Sequence, residues 1–256
     1  SGVCLCGSSW VCPVCAPRIA AGRVGEVRDL AQAVEARGLG LVMETFTVPH
    51  WASDAVAPLI RGMQGAREEM AYGRAGVILR EGRVGYVDAA EMTWGSNGAH
   101  PHTHRASVIE LGKYDTAGQR AAWLAALKRC GRWSDAAERY AYHVQPLNTA
   151  SAWYISKIGL EVASSALATK DSLTPLGMLY RMADGTLPRM PWTARFRECA
   201  EALRETKLVA LRFSRGLRKA FGLVAEKSDT ELAADESTET DQLLSLIHIS
   251  EPTRPY

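Results

Sequence analysis

Three histidines occupy alternate positions within five residues, His100, His102 and His104, in the stretch "NGAHPHTHRASVIEL". Side chains two positions apart in a β-strand project from the same face, so two imidazoles of this run can bind a single cation. We therefore expect His102 and His104 to form part of a divalent-metal site. The alternative is that they are ordinary surface histidines of a hairpin.

A carboxylate lies where it could complete this site. The turn sequence "GSNG" (Gly95 to Gly98) predicts a hairpin between the histidine strand and the segment before it, which carries Glu91. Glu91 would then lie across from the histidine pair and supply an oxygen ligand. Mixed imidazole and carboxylate ligation suits Mn²⁺ or Mg²⁺, with positions left open for water or phosphate oxygens.

A second pair of reactive side chains follows in "AWYISKIG". Tyr154 and Lys157 stand three positions apart in a predicted helix and therefore share a face. A tyrosine hydroxyl, with a pKa of about 10, is a poor nucleophile unless a metal, a lysine or a strained leaving group assists it. A metal ion that polarises a phosphate lowers that demand. The alternative is an amphipathic core helix with a surface lysine.

Four of the six cysteines lie in the first fifteen residues, at Cys4, Cys6, Cys12 and Cys15. Such clustering in a cytosolic chain favours a metal over disulfides. Cys12 and Cys15 have the spacing of a zinc half-site, whereas Cys4 and Cys6 are closer together than is usual. We expect structural Zn²⁺ bound by Cys6, Cys12 and Cys15, with Cys4 or a ligand upstream of the chain as the fourth. Free buried cysteines and a redox pair are the alternatives.

The elements that must position these residues predict an α+β fold. Strands and helices alternate irregularly with at least one hairpin, which favours a central antiparallel sheet that carries the histidine strand and is flanked by helices. Apolar periodicity and turn residues predict strands over residues 39–48, 82–94 and 139–147. They predict helices from Pro17 to Gly38, over 57–72 and 117–131, and from Asn148 or Thr149 onward.

Charge is distributed unevenly along the chain. Residues 1–227 hold 29 of the 30 basic residues and 21 of the 28 acidic ones, a net charge of +8. Residues 189–227 alone hold ten basic and four acidic residues. This balance indicates a polyanionic partner such as DNA. We expect the phosphate contacts to involve one patch formed by Arg212, Arg215, Arg218 and Lys219.

Hydropathy indicates a globular protein without a membrane segment. No apolar run approaches the roughly 20 residues that cross a bilayer, and no basic-then-apolar leader is present, so we expect a cytoplasmic protein and no membrane partner. The chain begins with Ser1 inside a motif-dense stretch, and we expect its natural N-terminus to lie upstream. The closing residues 244–256 look like a translated sequencing adapter and are given no role.

These observations predict the following organisation. The predicted units are a Cys-rich zinc element (1–16), a catalytic domain (17–171), a basic helical DNA-binding extension (172–227), an acidic, disordered tail (228–243) and the adapter-like end (244–256).

The motifs resemble a known family. The segments "GLVMETFTVPHW", "AEMTWGSNGAHPHTH" and "HVQPLNTASAWYISK" are similar, in that order, to the three motifs of HUH endonucleases of the plasmid rolling-circle replication initiator family, especially those of actinobacteria. The segment "CGSSWVCPVCAPRIA" is similar to the family's N-terminal cysteine signature, and "LRFSRGLRKAFGL" with "KSDTELA" to its C-terminal end. The resemblance covers residues 4–234.

The resemblance implies a metal-dependent enzyme that nicks and rejoins single-stranded DNA. His102 and His104 would bind the divalent ion, and Tyr154 would attack a phosphodiester at the plasmid's double-strand origin, presented as single-stranded or hairpin-extruded DNA. Tyr154 would become joined to the 5′ phosphate, and Lys157 would hold the ion or phosphate and favour the phenolate. A host helicase and polymerase are the implied partners.

Some positions depart from the family pattern. Thr103 stands between the paired histidines where a bulky apolar residue is expected, and the role of His100 stays open between ligation, stacking on DNA and packing. Relatives place a glutamate shortly before the tyrosine, and Glu161 is a substitute on the same predicted helix. The alternatives for function are another HUH nuclease, such as a relaxase or transposase, and a zinc-containing DNA-binding protein without catalysis.

Overall fold

The computed structural model of the protein describes residues 4–72, 76, 79–147 and 172–235. The described strands are β1 (Gly40–Thr47), β2 (Arg83–Gly95), β3 (Gly98–Ile109), β4 (Tyr142–Leu147), β5 (Ser172–Leu173) and β6 (Leu211–Phe213). The described helices are α1 (Cys15–Glu35), α2 (Val56–Ala71), α3 (Thr116–Arg129), α4 (Ala137–Tyr140), α5 (Pro175–Ala183), α6 (Arg189–Thr206), α7 (Leu217–Phe221) and α8 (Asp229–Ala234).

These strands form one antiparallel sheet in the order β4, β1, β3, β2, β5, with β6 also paired to β2. The predicted α+β architecture with an antiparallel sheet flanked by helices is confirmed in this part of the chain. β3, which carries the histidines, is central and lies between β1 and β2. Both of its neighbours therefore contribute side chains next to the histidines.

The hairpin between β2 and β3 fixes their register. Gly95 pairs with Gly98 across Ser96 and Asn97. Gly98 has a φ of 87°, and an added Cβ there would lie 2.9 Å from Cα of Ala52, so both its backbone conformation and its surroundings favour glycine. The predicted hairpin is confirmed, and its register sets Glu91 opposite His102.

Each face of the sheet is covered by helices. α2, α3 and α6 pack on one face and build the largest apolar cluster, which includes Phe46, Met92 and Trp123. α1 and α7 pack on the other face, where Val87, Ala106 and other apolar residues of the strands meet them. Burial of this apolar surface is the main stabilising contribution to such a fold.

The C-terminal part of the described chain is built onto the sheet and α1. β5 and β6, both within the range predicted to be helical, pair with β2. The prediction of a disordered tail is wrong for α8, since Ser228 and Glu231 form a capping box and Leu232 is buried against α1. Gly22 of α1 permits this approach, because a Cβ there would lie 2.7 Å from the Leu232 side chain. The predicted strand over 139–147 begins only at Tyr142, after α4.

Among the described helices, none has the length and apolar character that crossing a bilayer requires.

Candidate metal centre

The alternation of side chains along β3 places the three histidines on the same face of the sheet as α1 and α7. These helices cover that face at another part of the strands. His100, His102 and His104 share a parity with Ala106 and Val108, which pack in the cluster beneath α1. On β2, Glu91 shares that face with Ala89 and Val87 for the same reason. The cluster therefore stands at the end of the sheet beyond this apolar core.

The three predicted ligands converge on a common point. Nε2 of His102 lies 2.8 Å from Oε2 of Glu91, and Nε2 of His104 lies 3.3 Å from the same oxygen. The two Nε2 atoms are 3.0 Å apart. Adjacent ligands of an octahedral ion with bonds of about 2.1 Å are separated by about 3.0 Å. The donor set and its spacing thus fit one face of an octahedral divalent cation.

A hydroxyl on the neighbouring strand orients one of these rings. Oγ1 of Thr45 lies 3.0 Å from Nδ1 of His104, because the register of β1 and β3 pairs these two residues. When Nε2 of His104 binds a cation, Nδ1 carries the proton and donates a hydrogen bond to the Thr45 oxygen. Outer contacts of this kind fix the tautomer and the ring plane of a metal-binding histidine.

The electrostatics of the cluster favour an ionised carboxylate next to neutral imidazoles. Burial raises the pKa of the Glu91 carboxyl, but hydrogen bonds from His102 and His104 outweigh burial and hold this pKa well below its usual range. Burial is the largest cause that lowers the pKa of His104, and the nearby His102 adds to it, against the opposing effect of Glu91. A neutral imidazole and a carboxylate are the forms that bind a metal.

His100 extends the row of rings away from the cluster. Its ring stacks on His50 at a centroid distance of 4.6 Å and lies 4.9 Å from the ring of His102. Burial, followed by repulsion from His102 and His50, lowers the pKa of His100 to about 3. Nε2 of His100 is buried without a hydrogen-bond partner among the described residues. The structure thus places His100 beside the cluster, stacked on His50 and next to His102.

The cluster of Glu91, His102 and His104 is largely enclosed by the protein but remains accessible to solvent on one side. The Glu91, His102 and His104 side chains are 13%, 12% and 16% exposed. A cation held there can withdraw charge from a phosphate oxygen that enters from the open side. Tyr154, Lys157 and Glu161, the other predicted reactive residues, lie outside the described residues.

A second candidate metal site brings cysteines together at the start of α1. The sulfurs of Cys6, Cys12 and Cys15 all lie within 4.8 Å of one another. Cys4 is exposed and is not part of this group. Burial raises the pKa of Cys12, but the backbone N–H groups of Cys15 and Val14 donate to its sulfur and bring the pKa below its usual value. The thiolate form that binds metals is therefore more accessible at Cys12 than in an unperturbed cysteine.

α8 packs directly against this cysteine group. Leu232 and Ala233 form a small apolar cluster with Cys15 and Ile19. Arg23 of α1 reinforces the contact through an ion pair of 2.9 Å with Asp229. The site thus joins the beginning of the described chain to its end.

The predicted basic patch is not continuous in the structure. Arg212 lies on the α2 face of the sheet, 3.6 Å from Asp88. Arg218 lies on the α1 face, where it forms an ion pair of 2.8 Å with Glu26 and stacks on the ring of Phe213. Because Arg212 and Phe213 alternate along β6, Arg212 lies on the face opposite to Phe213 and to the Arg218 guanidinium above it. Arg215 and Lys219 are exposed, whereas the nearby Phe213 and Phe221 are buried.

Thr45 is a member of the site region that the sequence patterns do not indicate as a partner of the histidines. Thr45 lies on the face of β1 on which Leu41 and Met43 are buried. A polar residue in this otherwise apolar row is the sequence feature that indicates Thr45.

Comparison with known proteins agrees with the motif pattern. No protein-family model matches the chain, and no solved structure matches it. The chain is 31% identical to the neomycin resistance protein of Streptomyces cyanogenus over 46% of its own length and 33% of that protein. It is 28% identical to Protein rep of Streptomyces lividans over 91% of its own length and 68% of that protein. The resemblance to Rep-type replication proteins that the motifs indicate is thus confirmed by similarity along nearly the whole chain.

Proposed function

We propose that this protein is a Rep-type initiator of plasmid replication that nicks and rejoins single-stranded DNA at the plasmid origin. The similarity to Protein rep supports the general task. The observation that carries the chemical part is the convergence of Glu91, His102 and His104 on one point of the sheet. A divalent cation bound by two imidazoles and one carboxylate keeps positions open for phosphate oxygens.

The residues of the cluster would hold the ion and fix its position. Glu91 supplies negative charge, and the two imidazoles remain neutral ligands, with the Thr45 hydroxyl oxygen accepting a hydrogen bond from Nδ1–H of His104. Mn²⁺ or Mg²⁺ held there supplies Lewis-acid polarisation of the scissile phosphate. Carboxylate ligation and octahedral spacing favour these hard ions over softer ones.

Tyr154 is the proposed nucleophile. Its hydroxyl oxygen forms a bond to the scissile phosphorus while the bond from phosphorus to the 3′ oxygen breaks, so the 3′ oxygen leaves and takes up a proton. Lys157 stabilises the phenolate form of Tyr154 and contacts the phosphate. The resulting 5′-phosphotyrosine keeps the energy of the phosphodiester for later rejoining, and the free 3′ hydroxyl can be extended by a host polymerase behind a host helicase.

The cysteine group is proposed as a structural Zn²⁺ site. Cys6, Cys12 and Cys15 supply three thiolates, and soft sulfur ligands at this spacing suit zinc. Cys4 or a residue upstream of the chain would be the fourth ligand. Zinc bound there would hold the N-terminal segment to α1 and stabilise the packing of α8.

Origin DNA would reach the site along basic surface. Arg212, Arg215 and Lys219 offer exposed cations for phosphates, whereas Arg218 is largely buried in its ion pair with Glu26 and would have to leave that pair to contact DNA. Since Arg212 and Arg218 lie on opposite faces of the sheet, we propose that they contact separate stretches of DNA. Because plasmid replication takes place in the bacterial cytoplasm, that is the compartment we propose for the protein.

The test is a covalent-adduct assay with Mn²⁺ and end-labelled single-stranded oligonucleotides that span candidate origins. We expect a labelled protein–DNA adduct that survives denaturation, that Tyr154→Phe abolishes and that the matched exposed-tyrosine variant Tyr140→Phe retains. His102→Ala and Glu91→Gln should reduce adduct formation by at least about a hundredfold, as the loss of metal stabilisation implies.

The possible outcomes separate the functional classes. Cleavage that survives Tyr154→Phe would exclude Tyr154 as the nucleophile. Specific DNA binding without an adduct on any candidate origin would favour a non-catalytic zinc-containing DNA-binding protein. Adduct formation on a conjugative-transfer origin or a transposon end, but not on a replication origin, would favour a relaxase or transposase.

A further inference from the structure

A cavity of about 260 Å³ lies on the sheet face opposite the histidines, between the sheet and α2. Asp88 and Arg105 form part of its lining, and their positions on β2 and β3 alternate with those of Glu91 and His104. The lining contains two acidic residues, Glu68 and Asp88, and a threefold larger number of basic ones. The basic residues are Arg67, Arg80, Arg83, Arg105, Lys207 and Arg212.

The buried centre of this cavity carries more positive than negative charge. Asp88 accepts hydrogen bonds of 2.7 and 3.2 Å from Arg105 and also forms an ion pair with Arg67. Arg212 lies 3.6 Å from the same carboxylate. Three guanidinium groups thus surround the Asp88 carboxylate, and the buried Glu44 carboxylate also attracts Arg105. Even with Glu44 counted, positive charge is in excess around Asp88, although Arg212 itself is exposed. Excess charge that is partly removed from water is costly unless a counter-ion is present.

Two donors and one acceptor in the lining have no hydrogen-bond partner among the described residues. The donors are Nε of Arg67 and Nη1 of Arg83, and the acceptor is Oε1 of Gln119. Gln119 is only 1% exposed, and its Nε2 donates to the Leu79 carbonyl at 2.6 Å. Buried polar atoms without partners are rare in native proteins. A ligand with several acceptor oxygens and a hydroxyl donor would satisfy all three.

We propose that this cavity binds a phosphate monoester, carried either by a free nucleotide or by the end of a DNA strand. A monoester has a charge between about −1.5 and −2, which offsets the excess positive charge of the lining. Guanidinium groups match the geometry of phosphate oxygens and bind them through paired hydrogen bonds. The cavity is slightly smaller than the roughly 300–1,000 Å³ of pockets for drug-sized ligands, so one nucleotide-sized group is the upper limit.

The electrostatic state of Arg67 agrees with this assignment. Burial lowers the pKa of Arg67, and repulsion from Arg105 and Arg212 adds to it, against the attraction of Asp88. A bound dianion would offset both effects. The ring of Tyr86 lies beneath the Arg105 guanidinium at 3.9 Å and within 5.1 Å of the Arg83 guanidinium, so it holds both cations at the cavity wall.

The experiment is isothermal titration calorimetry of the full chain at low salt without added divalent metal. The probes are inorganic phosphate, deoxyadenosine 5′-monophosphate, and a short oligothymidylate with either a 5′ phosphate or a 5′ hydroxyl. We expect Arg212→Gln and Arg83→Gln each to weaken binding of the monoester probes about tenfold, the effect of losing one charge-assisted contact. Arg61→Gln, an exposed arginine of α2 outside the cavity, is the matched control and should bind as the unaltered chain does.

The two sources of the phosphate are distinguished within the same data set. Tighter binding of the free nucleotide than of the phosphorylated oligonucleotide would assign the cavity to a small molecule, and the reverse order would assign it to a strand end. Either order supports a monoester site if substitution of Arg212 or Arg83 weakens the binding of the 5′-phosphorylated oligonucleotide but not that of the 5′-hydroxyl oligonucleotide. Absence of binding by every monoester, or equal binding by all variants with unchanged circular dichroism, overturns the proposal.

Discussion

The Thr45 hydroxyl oxygen lies 3.0 Å from Nδ1 of His104, across the boundary between β1 and β3. This contact adds a side-chain link to the backbone pairing of the two strands at the position of the candidate metal ligand. Since the ring cannot rotate without losing the hydrogen bond, Nε2 of His104 stays directed toward Glu91 and His102. The neighbouring strand thus orients a ligand that it does not itself supply.

Replacement of Thr45 by valine tests this orientation. Thr45→Val keeps the shape of the side chain but removes the oxygen, and we expect Mn²⁺ to bind about 10 to 100 times more weakly, as outer-contact losses do at other histidine sites. Calorimetric titration with Mn²⁺ measures the change. Thr193→Val, the same substitution at an exposed threonine of α6 away from the cluster, is the control. Unchanged Mn²⁺ affinity in Thr45→Val would show that the hydroxyl does not matter.

The histidine cluster was predictable because its determinants are local. His102 and His104 share a face through the two-residue period of a strand, and a two-residue turn fixes the register of Glu91 opposite them. Thr45 was missed because its position depends on β1 lying next to β3, and the sequence does not state which strands become neighbours. Arg212 and Arg218 were wrongly grouped into one patch for a related reason, since their separation depends on the pairing of β6 with β2.

The error at α8 has an energetic origin. Its acidic, polar composition is typical of disorder when the segment is considered alone. Contacts with residues some two hundred positions away reverse that expectation, because Leu232 is buried on α1 and Asp229 pairs with Arg23. Long-range contacts of this kind leave no periodic pattern in the segment itself.

The row of buried imidazoles predicts a loss of stability in weak acid. The pKa of His100 lies at about 3, mainly because burial disfavours the charged ring, whereas a histidine in an unfolded chain titrates at about 6.5. Between these values the unfolded state binds more protons, so the free energy of unfolding falls as the pH falls, by up to about 1.4 kcal/mol per pH unit. His104 is shifted in the same direction.

Substitution of His100 should remove part of this dependence. In urea unfolding with a chelator present, we expect His100→Asn to flatten the decline in stability between pH values of about 6.5 and 4. The control is His143→Asn, because His143 is an exposed residue on β4. Equal pH slopes for His100→Asn and the unaltered chain would mean that His100 is protonated freely in the folded protein.

Asp88 predicts a second loss of stability in acid, at lower pH than that of His100. Burial raises its pKa, but the charges of Arg105 and Arg67 outweigh burial and bring the pKa below its usual value. A carboxyl with a lowered pKa stabilises the fold above its unfolded pKa of about 3.9, and this contribution is lost as the pH falls through the folded value. Its stabilising effect should therefore be complete at neutral pH.

Replacement of Asp88 by asparagine removes the charge that the buried arginines share. We expect Asp88→Asn to lower the free energy of unfolding by roughly 3–5 kcal/mol at neutral pH, because it leaves buried guanidinium groups without their counter-charge. The difference from the unaltered chain should shrink below a pH of about 4, where Asp88 of the unfolded chain begins to be protonated while the native carboxyl is still ionised. Urea unfolding at neutral pH and at a pH below about 4 measures this difference in the free energy of unfolding. Asp29→Asn, on the exposed side of α1, is the control. A constant difference at both pH values would contradict the assigned charge state.

The cysteine group predicts a zinc-dependent contact between α1 and α8. Cys12→Ser should abolish retention of zinc after dialysis and lower the melting temperature, because Cys15 of the same group packs against Leu232. Zinc is measured by release to a colorimetric chelator. Cys130→Ser, at an exposed cysteine outside the group, should change neither quantity. Cys4→Ser should retain zinc if the fourth ligand lies elsewhere and lose it if Cys4 moves in to bind. An unaltered chain that holds no zinc after expression with the metal would leave these cysteines as free thiols.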